Sequence, residues 1–262
     1  QDRTWLYTHP QFPLDDNQMN SFETLLRRRE QREPVAYIVG VKEFFGLEFE
    51  VNPHVLIPRP ETELLVETVL RISGWPMANG EWRMADLQSK IQNLKSKIVD
   101  VGTGSGCIAI SLAKNLPDAT FLAIDASAEA LQLARRNAER HGVADRITFL
   151  QGDLLQPLTS AVDLIVSNPP YVSQPELVAA MPEVSRYEPR LALDGGPIGL
   201  DVIWRLLAQA REKLNPGGAL LMEIGSNQGQ GVAQLAKTLF PQALTWVAQD
   251  LAGLDRLLIV EL

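Results

Sequence analysis

From Lys97 onward the chain repeats one unit: a short apolar run followed by a segment with helical periodicity. "KIVDVG", "TFLAID", "ITFLQGD", "VDLIVSN" and "GALLMEIG" read as buried strands. "GCIAISLAKNLP", "SAEALQLARRNAERHG" closed by Gly142, "GLDVIWRLLAQAREKL" and "NQGQGVAQLAKTLF" read as helices. Strands that alternate with helices pair in parallel through right-handed crossovers, with helices on both faces of the sheet. The last two runs, "ALTWVAQD" and "DRLLIVEL", are separated by only "LAGL", too short for a crossover, so they pair antiparallel. The expected fold is α/β: a seven-stranded, mostly parallel sheet with its last strand reversed.

Upstream the pattern is different. Residues Asp15 to Gln31 read as a helix with an acidic start and arginines at its end, stopped by Pro34. "VAYIVGVKEFFGLEFEVNPHVLIPRP" is β-branched and aromatic, punctuated by Gly40 and Gly46, and reads as short strands forming a hairpin connector. A second helix starts at Pro60-Glu61, where proline suits a first turn. The expected division is a helical part at 1–33, a connector at 34–58 and the large domain at 59–262. The stretch 74–97 has no clear pattern and reads as an insertion, partly helical or looped.

The chain has 262 residues, 45% of them apolar, with 24 Lys and Arg against 32 Asp and Glu, a formal charge of -8 and a pI near 5.0. That balance supports a sizeable core and argues against a protein that must grip a polyanion. The basic run "LLRRREQR" at 25–32 reads as a solvated helix end. Cys107, the single cysteine, sits in an apolar run and reads as core, while His9, His54 and His141 are scattered without metal-ligand spacing, so no metal is expected. There is no long apolar span and no signal peptide, so no membrane role and a cytoplasmic setting are expected. The chain opens on Gln1 rather than methionine, as a fragment or a processed chain would.

The chemistry gathers at strand C-termini. "DVGTGSG", Asp100 to Gly106, lies between a strand and its helix, where glycines admit a ligand and helical N–H groups point outward. A glycine-rich turn alone is a weak signal. Here an acid precedes the glycines and no phosphate-binding lysine follows, an arrangement that would repel pyrophosphate and attract an ammonium. Asp125, about twenty residues on, ends the next strand, where a carboxylate can accept from ribose hydroxyls; Asp153 ends the third, near where an adenine amino group would then lie. The candidate cofactor contacts are Asp100, Val101, Gly102, Thr103, Gly104, Asp125, Asp153, Leu154 and Asn168.

"DVGTGSG", the spacing to Asp125 and the reversed final strand resemble class I S-adenosylmethionine-dependent methyltransferases, which have a Rossmann-like sheet. "NPPY", Asn168 to Tyr171, resembles the members that methylate nitrogen on planar groups. "EPVAYIVGVKEFFGLEFEVNPHVLIPRPETE", "YEPRLALDGG" and "DLAGLDR" are similar to the HemK/PrmC family, protein-(glutamine) methyltransferases of peptide chain release factors. The resemblance implies S-adenosyl-L-methionine as cofactor, a release factor as protein partner and its Gly-Gly-Gln glutamine as acceptor. It also implies that 1–33 is the last part of a helical substrate-docking domain, with only its final helix present.

An amide nitrogen is a poor nucleophile and must be oriented. Asn168 and the carbonyl of Pro169 can accept from the target NH₂ and favour the positive charge that develops on it, with the prolines fixing that geometry beforehand. Pro170 completes the rigid turn and Tyr171 can pack over the planar amide. Asn168, Pro169 and Tyr171 are therefore the candidate catalytic residues, and all four of the motif the candidate acceptor site. The plainer alternative is a strand-ending turn. The segment 172–196 is long enough to cover a substrate, and Arg59 and Glu61 either line the entrance or start a helix. Two other functions compete. A DNA or RNA amino-group methyltransferase would share these motifs but need a basic groove, and a binding module would hold the cofactor without turnover.

Overall fold

The computed structural model describes residues 3–73 and 96–262. The insertion expected at 74–97 lies outside the described residues apart from Ser96 and Lys97, and Lys97 already opens a strand.

Two helices begin the chain, α1 (Arg3–Thr8) and α2 (Asp16–Glu30), where the sequence suggests only the second. Asp15 caps α2 reciprocally: its carboxylate accepts from the Gln18 N–H at 2.8 Å while the Gln18 side chain accepts from the Asp15 N–H at 3.0 Å. Next comes a correction. Residues 35–39, expected to be extended, form a short helix, α3 (Val35–Val39). Pro34 presets its entry, Gly40 closes it at φ 83°, and Tyr37 is buried with its hydroxyl donating to the Val55 carbonyl at 2.6 Å. Burial and capping thus outweigh the strand preference of β-branched residues.

The expected hairpin follows as β1 (Val41–Phe44) and β2 (Leu47–Glu50), joined by Phe45 and Gly46, both at positive φ, as a tight hairpin turn requires. A 3₁₀ turn at Pro60–Thr62 leads into α4 (Glu63–Ile72).

The large domain then runs β3 (Lys97–Val101), α5 (Cys107–Asn115), β4 (Thr120–Asp125), α6 (Ala128–Arg140), β5 (Ile147–Gln151) and β6 (Val162–Ser167). It continues with α7 (Gln174–Ala179), α8 (Pro182–Ser185), α9 (Asp201–Lys213), β7 (Leu214–Glu223), α10 (Gly229–Leu239), β8 (Leu244–Gln249) and β9 (Asp255–Glu261). The sheet order is β5-β4-β3-β6-β7-β9-β8, with β9 antiparallel to both neighbours. Strand order reverses between β3 and β6, and that switch point opens a crevice at the strands' C-terminal ends.

Alternation along the strands fills both faces. Ile98, Leu164, Leu221 and Ile259 pack with α4 and α5, whereas Val99, Ile165, Leu220 and Leu258 pack with α9 and α10. Truncating one such residue to alanine costs about 2–5 kcal/mol. Cys107 is core, as expected, and burial pushes its thiol up to about 12, far from a nucleophile's range.

The hairpin is locked to this body by Asn137 of α6, which is fully buried. Its Oδ1 accepts from the Glu50 N–H at 2.8 Å, and its Nδ2 donates to the carbonyls of Glu50 at 3.1 Å and Ser105 at 2.9 Å. One amide thus joins β2 to the glycine-rich loop after β3.

Candidate active site

The loop after β3 is held from both sides. Gly102, Gly104 and Gly106 all have positive φ, at 72°, 55° and 82°, a region other residues enter only with strain. At Gly106 a Cβ would also meet Ile110 Cδ1 at 2.8 Å and Ala134 Cβ at 3.2 Å, so glycine is required there for packing of α5 against α6 as well. The N–H groups of Gly102 and Thr103 both donate to the Ile124 carbonyl. Ser167 at the end of β6 donates its hydroxyl to the Val101 carbonyl at 2.7 Å, tying β6 to the start of the loop.

Asp100 is fully buried. Its Oδ2 accepts from the Thr103 hydroxyl at 2.7 Å and the Ala109 N–H at 3.2 Å, while Oδ1 is buried without a partner. Burial raises its carboxyl to about 7, against the pull of those two donors; the nearby Asp125 charge adds to the rise. Asp125 accepts from the Gly104 N–H at 2.8 Å through Oδ2 and from the Ser127 N–H at 2.9 Å through Oδ1. Two of about four acceptor positions on that carboxylate are therefore used, leaving capacity for a ligand's hydroxyls. Burial raises this carboxyl too.

These residues fit S-adenosylmethionine. An orphaned, buried carboxylate oxygen suits an ammonium, and a half-filled carboxylate one strand over suits a ribose. Asp153 lies just beyond β5, where its carboxylate meets the Arg205 guanidinium and accepts from Gln156 Nε2 at 3.2 Å. Leu154 beside it is at φ 51°, with its side chain against the core cluster on the α9 and α10 face.

The "NPPY" stretch lands on the opposite wall of the same crevice. A Cβ on Gly102 would lie 3.9 Å from the main-chain oxygen of Asn168, so the motif abuts the glycine-rich loop. Pro169 is buried, and Asn168, Pro170 and Tyr171 are half-buried. Asn168 Nδ2 donates to Thr62 Oγ1 at 3.0 Å, and the Thr62 hydroxyl donates to Glu223 Oε2 at 2.6 Å. The Tyr171 hydroxyl donates to the other oxygen, Glu223 Oε1, at 3.0 Å. Burial raises the Glu223 carboxyl above its usual range, opposed by both hydroxyls and by the Arg256 charge.

Thr62 and Glu223 escape the sequence reading. Within "IPRPETE" the charged residues draw the eye, yet Arg59 pairs with the buried Glu188 at 2.5 Å, and it is the threonine between them and the helix that reaches the site. Glu223 carries the same signal as Asp100 and Asp125, an acid at the end of an apolar strand.

The segment after Tyr171 forms α7, α8 and a 3₁₀ turn at Arg190–Ala192. The basic run is more than a solvated helix end. Arg29 of α2 and Arg32, two residues past its end, both pair with Glu183 of α8, at 2.9 and 2.8 Å, and the Tyr187 hydroxyl donates to the Gln31 carbonyl at 2.7 Å. "DLAGLDR" also has a structural explanation. Asp250 accepts from the Ala252 and Leu254 N–H groups and pairs with Arg256 at 3.1 Å, so the turn between β8 and β9 holds the guanidinium that acts on Glu223. Among the described residues no cluster suited to a metal ion is present, and no helix is long and apolar enough to cross a membrane.

The chain is similar to known proteins over most of its length. Residues 84–185 match the methyltransferase small domain family model and residues 1–40 match that of the PrmC N-terminal domain. Among solved structures, a methyltransferase from Pyrococcus furiosus superimposes with a TM-score of 0.57 at 18% identity, covering 90% of this chain and 98% of that one, which supports the fold. Among sequence relatives, the release factor glutamine methyltransferase of Koribacter versatilis is 38% identical, covering 98% of this chain and 85% of its own length. That of Geobacter sulfurreducens is 44% identical, covering 97% of this chain and 82% of its own. A chain so alike over nearly its whole length belongs to the release factor glutamine methyltransferase family.

Proposed function

We propose that this chain methylates the side-chain amide nitrogen of the glutamine in the Gly-Gly-Gln motif of a peptide chain release factor, using S-adenosyl-L-methionine. The observation that supports the reading is the main-chain oxygen of Asn168 lying 3.9 Å from where a Cβ on Gly102 would sit, which sets the motif beside the glycine-rich loop.

When bound, S-adenosylmethionine supplies a methyl group made electrophilic by its sulfonium. Every other task falls to the chain. Asp100 holds an ammonium through Oδ1, and Asp125 accepts from ribose hydroxyls. On the acceptor side, Asn168 Oδ1 and the Pro169 carbonyl accept the two hydrogens of the target NH₂ and so aim its lone pair into the crevice. Those acceptors interact more strongly as the nitrogen gains positive charge, which makes them more favourable in the transition state than in the ground state. Tyr171, its hydroxyl fixed on Glu223, presents a ring edge or face that excludes water from the amide. The segment from α7 to the 3₁₀ turn, clamped by Arg29 and Arg32, covers the docked loop of the substrate.

The test is incubation with labelled S-adenosylmethionine and, in parallel, release factor or DNA. Mass spectrometry is expected to find one added methyl on the glutamine of the Gly-Gly-Gln motif. Label on another residue, or on DNA alone, overturns the assignment.

A further inference from the structure

An asparagine side chain fits a pocket in two orientations that differ by a half-turn, nearly identical in shape and opposite in polarity. Asn168 can accept from a substrate amide in only one of them. We infer that Thr62, backed by Glu223, is a positioning residue that sets this orientation, so that Oδ1 of Asn168 and not its NH₂ faces the acceptor. The inference rests on the reading of Asn168 as the acceptor-binding group.

The argument is a count of hydrogens. Thr62 has one hydroxyl hydrogen, and both it and Glu223 are buried, at 2% and 1% exposure, so water does not compete for it. An ionised carboxylate accepts only. In its ionised form Glu223 takes the Thr62 hydrogen at 2.6 Å, which leaves Thr62 with lone pairs alone toward Asn168 at 3.0 Å. Only the NH₂ end of Asn168 satisfies them. Oδ1 is then forced to the other side of the amide, away from Thr62.

Tyr171 donates to the second oxygen of Glu223, so each carboxylate oxygen holds one hydroxyl donor. Burial raises the Glu223 carboxyl, while the Thr62 and Tyr171 hydroxyls and the Arg256 charge favour its charged form and Glu61 opposes it. If Thr62 were instead to turn its hydrogen to Asn168, it would strand a buried carboxylate oxygen, the costly outcome for a buried charge. Asn168 and Tyr171 of one segment, Thr62 of a second and Glu223 of a third thus form one relay, from the Glu223 carboxylate to the polarity of one amide.

The experiment measures turnover of release factor by Thr62→Val and Thr62→Ser, alone and in the Asn168→Ala background. Thr62→Val keeps the shape and removes the hydroxyl. It is expected to lower kcat by about tenfold or more while KM and cofactor affinity change by no more than about threefold. Thr62→Ser keeps the hydroxyl and is expected to recover most of that loss, and in the Asn168→Ala background Thr62→Val is expected to cost almost nothing further. Thr62→Ala removes the same hydroxyl without a second γ-carbon and takes the place of Thr62→Val if that variant does not fold, as judged by circular dichroism. A kcat within about twofold of wild type when the hydroxyl is removed, or a loss that adds fully to that of Asn168→Ala, overturns the inference while leaving Asn168 as the acceptor-binding group. Full activity of Asn168→Ala overturns both.

Discussion

The two walls of the crevice are built in contrasting ways. The cofactor wall comes from consecutive βα turns between Asp100 and Asp153, and much of it is backbone: glycines at positive φ, N–H groups anchored on Ile124, and carboxylates on neighbouring strands. The acceptor wall is a side-chain relay through Asn168, Thr62, Glu223 and Tyr171, drawn from segments up to 161 residues apart. A wall made of local backbone is specified by short motifs and serves binding. A wall made of long-range side-chain contacts exists only once β6, β7 and the segment before α4 have come together, and in the proposed reading it serves chemistry. Binding and turnover should therefore separate cleanly by mutation.

The largest separation is expected at Asn168→Ala. Losing a positioning group and a charge-stabilising acceptor together should slow single turnover by about a hundredfold or more, while calorimetric titration with S-adenosylmethionine stays within about threefold of wild type. A comparable drop in both would erase the distinction between the walls. Next comes Asp125→Ala, which removes a charged acceptor from the cofactor wall. It should weaken cofactor binding by about 1.5–3 kcal/mol, and rate at saturating cofactor should recover. Unchanged affinity would take Asp125 out of the site.

The smallest effect sharpens the comparison through pH. Asp100 is held near a carboxyl value of about 7 by burial, so below that pH the folded protein carries a proton there that an ammonium ligand must displace. Affinity for S-adenosylmethionine should accordingly rise with pH by at most about tenfold per unit up to neutrality and level off above it. The free protein should show the opposite trend. Its folded state binds a proton that the unfolded chain has already released, so this group's contribution to stability falls as pH rises from the ordinary carboxylate range to about 7. Asp100→Asn should flatten both profiles, which titrations and melting curves across that range would read. A cofactor affinity that keeps its slope in Asp100→Asn would assign the proton to another group.

The same contrast governs what can be read from the sequence. Asp100, Asp125 and the glycines announce themselves because strand ends and turn residues recur at regular intervals, and the reversed β9 follows from a linker too short to cross over. Asn168 is marked by the two prolines beside it. Thr62 is not marked, since its meaning depends on Glu223, and nothing local says that the two will touch. Likewise α3 is concealed by its β-branched composition until Tyr37 finds its buried place against Val55, and Arg29 and Arg32 look solvated until Glu183 is brought to them.

The Asp250 turn has a kinetic side. β8 touches the sheet only through β9, and the two are joined by a turn that Asp250 and Gly253 close locally, so this antiparallel pair can form on the microsecond scale of isolated hairpins. The parallel strands must wait for their crossovers to close, a slower process. A pair formed early would reach β7 with its own alignment already set. A slip of one residue at that moment would turn Leu257 and Ile259 to the face meant for Leu258 and Val260. Asp250 pairs with Arg256 in the first residues after the turn, so the local closure of this hairpin and the guanidinium whose charge acts on Glu223 depend on the same residue.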